Sequence, residues 1–367
     1  MCRPGPATCC WGWQERRRDP TGEKTCWRGR GPGADGPGAQ YDIKNRRTFL
    51  KRCQYEGIFQ DMLYIGSTIT VYSRQLKLVG YADKYTAELL EVKAEKTVAV
   101  VKPDGVAHLG KIVNAAIRSG FNVAQLKMIT AGADFRYPLG AAAPFSAASG
   151  HMVAMELVSS DAINKWAELL GPEDPAVAKA EAPMSIRAKF GTDALRNVAW
   201  GASTPQEASE AAAFFFKGPM KGAMSAGQKG PSTLCIIKPH AVVAGYSGLV
   251  IDQVMEHFEV AAKEMFTLDR VNASEFFEVY KGVVPEYNFM VDELTSSPFI
   301  AMEVLGEVDG LRELCGPADP EIARVLRGGS LRAQFGVDKV KNAVHCTDLE
   351  DDGPLEVDFF FSLMNAA

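Results

Sequence analysis

The sequence predicts an α/β chain: two copies of one split β-α-β sandwich behind a small β-rich module. Three observations predict it. A long stretch of the chain is written twice. Within each copy, short apolar strands alternate with helical segments. Ahead of both copies, apolar residues fall at every second position over a short stretch.

The repeat is legible directly. Thr97-Val98-Ala99-Val100-Val101-Lys102-Pro103-Asp104 returns as Thr233-Leu234-Cys235-Ile236-Ile237-Lys238-Pro239-His240. Val153-Ala154-Met155-Glu156 returns as Ile300-Ala301-Met302-Glu303, and Ser185-Ile186-Arg187-Ala188-Lys189-Phe190-Gly191 as Ser330-Leu331-Arg332-Ala333-Gln334-Phe335-Gly336. Gly171-Pro172-Glu173-Asp174-Pro175 matches Gly316-Pro317-Ala318-Asp319-Pro320. The offset is 136 at Lys102 and Lys238 but 147 at Met155 and Met302, so the first copy lacks about eleven residues between those points. A period this long means duplicated domains; solenoid repeats run roughly 20–50 residues.

Each segment follows in order. Residues 1–40 are rich in Gly, Pro and Arg without apolar periodicity and read as disordered, although Trp11, Trp13 and Trp27 are unusual in such a tail. Residues 41–91 form the small β-rich module, with Leu63, Ile65, Ile69, Val71, Leu76 and Leu78 in strands and turns at Gly66-Ser67 and Ser73-Arg74. It is too short for a large core and should pack on its neighbour. Residues 92–217 and 232–363 are the copies. Each opens with a buried strand, enters a helix after Lys-Pro (Ile112, Ala115, Ala116 and Ile117 at helical spacing), and ends in a long loop and a final strand. Phe214–Phe216 and Phe359–Phe361 read as paired core strands or inter-domain packing. Residues 218–231 are a Gly-rich linker.

Composition narrows the function. The share of apolar residues is 47% and of charged residues 23%, ordinary for a globular protein. A net charge of −5 argues against a nonspecific nucleic-acid binder, which carries a basic face. No run of eighteen apolar residues predicts a membrane span and no leader-like segment is evident, so a cytoplasmic protein is expected. The 8 cysteines lie at no zinc-ligand spacing and read as reduced thiols. His108, His151, His240 and His257 do not cluster at metal spacing and read as structural.

The copies diverge where covalent chemistry would sit. Asn197-Val198-Ala199-Trp200 stands in the first and Asn342-Ala343-Val344-His345 in the second. Histidine can accept a phosphoryl group and tryptophan cannot, so one copy reads as working and one as degenerate.

Taken together, the strand-Lys-Pro opening, the Ala-Met-Glu strand, the Gly-x-x-Asp-Pro loop, the Arg-Ala-x-Phe segment and the Asn-x-x-His segment resemble those of nucleoside diphosphate kinases. The resemblance covers about residues 41–363. It implies a ferredoxin-like fold for each copy and phosphoryl transfer from a nucleoside triphosphate through a phosphohistidine to a nucleoside diphosphate. It implies that His345 is phosphorylated, that Glu356 on the final strand orients its ring, and that Thr347 is the small hydroxyl beside the phosphoryl group. Lys238, Arg312 and Arg332 match the phosphate-binding cations, Asn342 a sugar and phosphate contact, and Tyr287 the aromatic ring stacked on the base. Mg2+ would arrive with the nucleotide. Ala318, where the family has a hydroxyl, and His240-Ala241, where it has Asp-Gly, are departures.

In the first copy, Lys102, Arg187 and Asn197 match the same pattern, and Lys102 could still hold a phosphate. Trp200 replaces the histidine, Ala167 the arginine and Ala202 the hydroxyl, and the nucleotide lid is shortened around Gly140–Phe145. This site is expected to be inactive.

Two copies behind a module like the one called DM-ten resemble a ciliary and flagellar branch of the family. That resemblance implies a cytoskeletal protein of axonemal doublet microtubules, with tubulin and other axonemal proteins as partners. The duplication also leads us to expect a monomer with its two kinase-like domains packed together.

Overall fold

The computed structural model describes residues 8–15, 24–30, 38–42, 47–53, 63, 67–71, 74–81, 95–131, 150–217, 222 and 231–364. The Ile65 and Ser73 positions, the Gly140–Phe145 lid and most of the Gly-rich linker lie outside them.

The N-terminal strands are β1 (Thr8–Glu15), β2 (Lys24–Arg30), β3 (Gly38–Asp42), β4 (Arg47–Cys53), β5 (Thr68–Val71) and β6 (Arg74–Tyr81). They form one sheet ordered β4-β3-β2-β1-β6-β5. This corrects the expectation of disorder over residues 1–40, because three strands fall there and the sheet runs across position 41. Strand β1 is central, pairing β2 on one side and β6 on the other, with Trp11 opposite Trp27 in register. Aromatic residues suit a pleated surface, and the three tryptophans were the signal that Gly and Pro content masked.

The second sheet has eight strands: β7 (Glu95–Val101), β8 (Asn122–Ala131), β9 (Gly150–Ser159), β10 (Ala199–Gly201), β11 (Ser232–Ile237), β12 (Glu259–Phe266), β13 (Phe299–Leu305) and β14 (Val344–Cys346). Its order is β10-β7-β9-β8-β12-β13-β11-β14, a palindrome of equivalent strands. Each half is a ferredoxin-like β-α-β-β-α-β unit. The halves meet where β8 and β12 pair antiparallel.

The opening helices, Leu109–Arg118 and Ser247–His257, pack against each other across that seam. Glycines permit the approach. A Cβ on Gly110 would lie 2.4 Å from Asp252 N, and one on Gly248 would lie 2.4 Å from Asn114 N. Gly110 corresponds to Gly248 and Asn114 to Asp252, so the contact is reciprocal, as at a two-fold axis. One apolar core runs beneath both helices and draws on both copies, including Ile112, Val113, Leu126, Val250, Ile251 and Met302. Each such buried side chain contributes about 1.5–3 kcal/mol.

The chain after β10 and β14 corrects a second expectation. Both Phe-Phe-Phe runs are helical, in the π-helical turns Ala213–Lys217 and Phe359–Leu363 that extend the helices Pro205–Ala212 and Gly353–Asp358. Three apolar residues in a row do not distinguish strand from helix. The helix starts decide: Pro205 and Pro354 stand in the first turns, and Thr204 Oγ1 accepts the Glu207 N–H. No helix among the described residues is long and apolar enough to cross a membrane.

Candidate active site

The site is built on a strained loop. Ala343 has φ 70° and its counterpart Val198 φ 75°, left-handed values that a β-branched residue adopts only when its surroundings enforce them. Cross-links from neighbouring segments supply that force. Lys238 N–H donates to Ala343 O at 2.9 Å. Lys238 Nζ donates to Val340 O at 2.8 Å and Asn342 Nδ2 to Ala318 O at 2.9 Å. Arg332 donates Nη1 to Gly316 O at 2.7 Å, and Nε and Nη2 to Val344 O at 3.2 Å each. His240 completes the set. Its Nε2 accepts the Ala343 N–H at 3.1 Å, and its Nδ1 lies 2.7 Å from Glu293 Oε1. Nδ1 is therefore the protonated nitrogen.

These bonds aim His345, which pairs with Ile236 of β11 and is 6% exposed. Its Nε2 lies 3.2 Å from both Glu356 oxygens. Glu356 Oε2 also accepts the Thr347 hydroxyl at 2.8 Å, and Thr347 Oγ1 accepts the Leu234 N–H at 3.0 Å. A carboxylate beside Nε2 holds the proton there and leaves the Nδ1 lone pair free. Glu356 does this from the helix Gly353–Asp358, not from a strand as the sequence suggests.

Two groups that sequence reasoning missed complete the neighbourhood. Asp348 accepts from Arg312 Nη1 through its backbone O (2.8 Å) and Oδ1 (2.7 Å), and from the Tyr280 hydroxyl through Oδ2 (2.5 Å). Burial and that bond to Asp348 push the Tyr280 hydroxyl well above its usual range. The rings beside His345 are Phe276 and Phe277, at centroid distances of 5.3 and 5.9 Å and near-perpendicular angles. Tyr287 lies in the same hairpin, but its hydroxyl donates to Ser274 O at 3.2 Å and closes the hairpin. The available signal was the aromatic density of Phe276-Phe277…Tyr280.

Burial, with Arg332 nearby, pulls the Lys238 amine down to about 8. It is still mostly charged at neutral pH. In so dry a place a charge acts on its neighbours far more strongly than it would in water.

The first copy repeats the skeleton. Lys102 Nζ donates to Leu195 O (2.7 Å), Arg187 to Gly171 O (2.8 Å) and Ala199 O (3.2 Å), and Asn197 Nδ2 to Glu173 O (3.0 Å). Asp104 Oδ2 accepts the Val198 N–H at 2.8 Å, the place His240 takes in the second copy. Trp200 occupies the position of His345, opposite Val100 of β7. Glu356 corresponds to Ala211 and Asp348 to Ser203, so the orienting carboxylate is gone as well.

The family model "Nucleoside diphosphate kinase" matches residues 95–220 and 231–365. "Nucleoside diphosphate kinase homolog 7" of Rattus norvegicus is 45% identical over 351 residues, covering 90% of this chain and 87% of that one, and the Mus musculus protein gives the same figures. The nucleoside diphosphate kinase of Aquifex aeolicus is 38% identical over 133 residues, 35% of this chain and 93% of its own. A crystal form of that enzyme covers 37% of this chain at 36% identity, with a TM-score of 0.35.

Proposed function

Because this chain belongs to the nucleoside diphosphate kinase family, we propose that its second copy transfers a γ-phosphoryl group through His345. Nδ1 attacks the γ-phosphorus, the bond to the β-phosphate oxygen breaks, and the nucleoside diphosphate leaves. A second diphosphate then takes the group from Nδ1. Nε2 keeps its proton throughout, and Glu356 offsets the positive charge the ring gains. Lys238, Arg312 and Arg332 are the cations that would neutralise the phosphates, with Asn342 beside them. The observation that carries this reading is the His345–Glu356–Thr347 chain. No cluster of three His, Cys, Asp or Glu suited to caging an ion occurs among the described residues. A Mg2+ ion would arrive with the nucleotide and supply positive charge against its phosphates. The test is incubation with γ-labelled ATP. The whole chain should acquire acid-labile phosphate and His345→Gln none; phosphohistidine surviving that substitution would refute the assignment.

A second reading is favoured by the first copy, which keeps its fold-holding residues and lacks its chemistry. A domain retained in that form is most simply explained by its surface. The chain would then be a structural component of ciliary doublet microtubules, a microtubule inner protein bound to tubulin and other axonemal proteins as a single chain. Extraction of axonemes tests it: the protein should leave only when doublets dissolve. Release with the soluble matrix would instead indicate a free kinase supplying nucleoside triphosphates.

A further inference from the structure

At the seam of the eight-stranded sheet, Lys127 of β8 stands opposite Glu264 of β12, with Nζ 3.6 Å from Oε1 and side chains only 14% and 13% exposed. These two are the same position in the two copies. Lys127 pairs with Ala154 of β9 and Glu264 with Ala301 of β13, and Ala154 and Ala301 are equivalent in the Val-Ala-Met-Glu and Ile-Ala-Met-Glu repeat. The pseudo-two-fold axis therefore passes between a residue and its own counterpart. In a pair of identical copies that position would face itself, as lysine against lysine or glutamate against glutamate.

The helical half of the seam carries the same polarity. Asp252 of the second copy acts on His108 of the first: burial and then Lys111 of the first copy disfavour the charged His108 ring, and the Asp252 carboxylate favours it. The first copy offers Asn114 where the second offers Asp252, and the second offers Tyr246 and Leu249 where the first offers His108 and Lys111.

We propose that Lys127 and Glu264 are a recognition pair that makes this surface accept one copy of each kind and reject two alike. The partner fitted by the edge of β8 is an edge bearing an acid at the axis, and the partner fitted by β12 is one bearing a base. A buried like-charge pair is unfavourable where an opposite pair is favourable, so one position both selects the right partner and excludes the wrong one. A chain assembled by this rule closes on itself and leaves neither edge for a second chain.

The test uses full-length protein. Lys127→Glu makes both axis residues acidic, Glu264→Lys makes both basic, and the double reversal restores an opposite pair. Each single variant should raise hydrogen exchange of the β8 and β12 amides by roughly tenfold through local opening, and the double reversal should return it to the wild-type rate. Circular dichroism checks that the single variants stay folded. Each single variant alone should run at the one-chain mass of 39.8 kDa. Mixed in equal amounts, the acidic-axis and basic-axis chains should form a two-chain species by exchanging partners. Three results would each overturn the proposal: a double reversal as open as the single variants, self-association of either single variant to the extent of the mixture, or no two-chain species in the mixture.

Discussion

Behind the strand that carries His345, the second copy has Leu311 and Cys346 where the first has Trp166 and Gly201. A Cβ on Gly201 would lie 2.1 Å from Trp166 Cδ1, so the indole fits only because the strand residue is glycine, and its Nε1 donates to Trp200 O at 3.3 Å. On that side volume was exchanged and packing kept. On the other side volume was simply lost: Arg312, Thr347, Asp348 and Glu356 correspond to Ala167, Ala202, Ser203 and Ala211. The lysine, arginine and asparagine shared by both sites bond backbone carbonyls. The comparison teaches that Lys102, Arg187 and Asn197 hold the Val198 loop and are explained without any phosphate. In the first copy this lysine, arginine and asparagine are explained by the fold alone; in the second the same three stand beside Arg312, Asp348, Thr347 and Glu356, the side chains the first copy lacks.

The largest effect should come from asking the first copy to react. With His345→Gln removing the other site, Trp200→His supplies a nucleophile with neither an orienting carboxylate nor the missing arginine. An arginine clamp on a transferring phosphoryl group is worth roughly 10³–10⁵ in rate. Phosphoenzyme formation should therefore fall at least that far below the wild-type chain in a γ-labelled ATP assay. A rate near wild type would show that the lost tips do not matter.

Next is Glu356→Gln, which removes the second copy's advantage from the opposite direction. The amide keeps the shape but no longer compensates a protonated ring, and phosphoryl transfer should drop roughly 10²–10⁴-fold. A rapid-quench measurement showing less than a tenfold change would give the orienting role to another group.

These tests also mark what the sequence could reveal. The repeat aligned His345 against Trp200, and Lys238, Arg332 and Asn342 against Lys102, Arg187 and Asn197, because identity at fixed spacing survives divergence; the resemblance to nucleoside diphosphate kinases supplied their expected roles. It could not place Glu356 on a helix, since three phenylalanines in a row suit strand and helix alike. Nor could it show Tyr280 on Asp348, a bond across 68 residues that no spacing rule anticipates. The strands before position 41 were hidden by Gly and Pro content, and β8 with β12 because one edge strand does not name its neighbour.

A smaller effect is expected at Lys263, buried at 1% exposure where the first copy has the equally buried Leu126. Its Nζ donates to Met255 Sδ at 3.5 Å, and burial pulls its amine down to about 8. The folded form thus binds this proton less tightly than the unfolded chain. Below about pH 8 both states are protonated and the whole cost of burying the charge is present; as pH rises toward the unfolded value near 10.4, that cost is relieved. Lys263→Met should therefore stabilise the chain by about 3 kcal/mol at pH 7, and the gain should vanish by about pH 10.5. Urea unfolding at the two pH values measures it, and an unchanged midpoint at pH 7 would mean the ammonium is hydrated in place.

The finest difference between the copies is Asp104 against His240. Each accepts the N–H of the left-handed loop residue, Val198 or Ala343. The histidine brings a second bond, because its Nδ1–H is held by Glu293, which also accepts the His240 backbone N–H at 3.0 Å. Burial alone would raise the Glu293 carboxyl, but its bonds to His240 outweigh that and leave it below the usual range. A depressed carboxylate stabilises the fold above its unfolded pKa and loses that contribution as pH falls through the folded value. His240→Ala should leave the Ala343 N–H without its acceptor and Glu293 with only the backbone N–H of residue 240, and cost about 1–3 kcal/mol at pH 7, with less lost near pH 3, where wild type has already surrendered the Glu293 part. His240→Asp should restore the acceptor as in the first copy but set a second carboxylate against Glu293, which the added change Glu293→Gln relieves. Chemical denaturation should therefore rank His240→Asp with Glu293→Gln closest to wild type and His240→Asp alone below it. If His240→Asp alone matched wild type, the histidine would be an interchangeable cap, and its bond to Glu293 would have no part in holding the loop that aims His345.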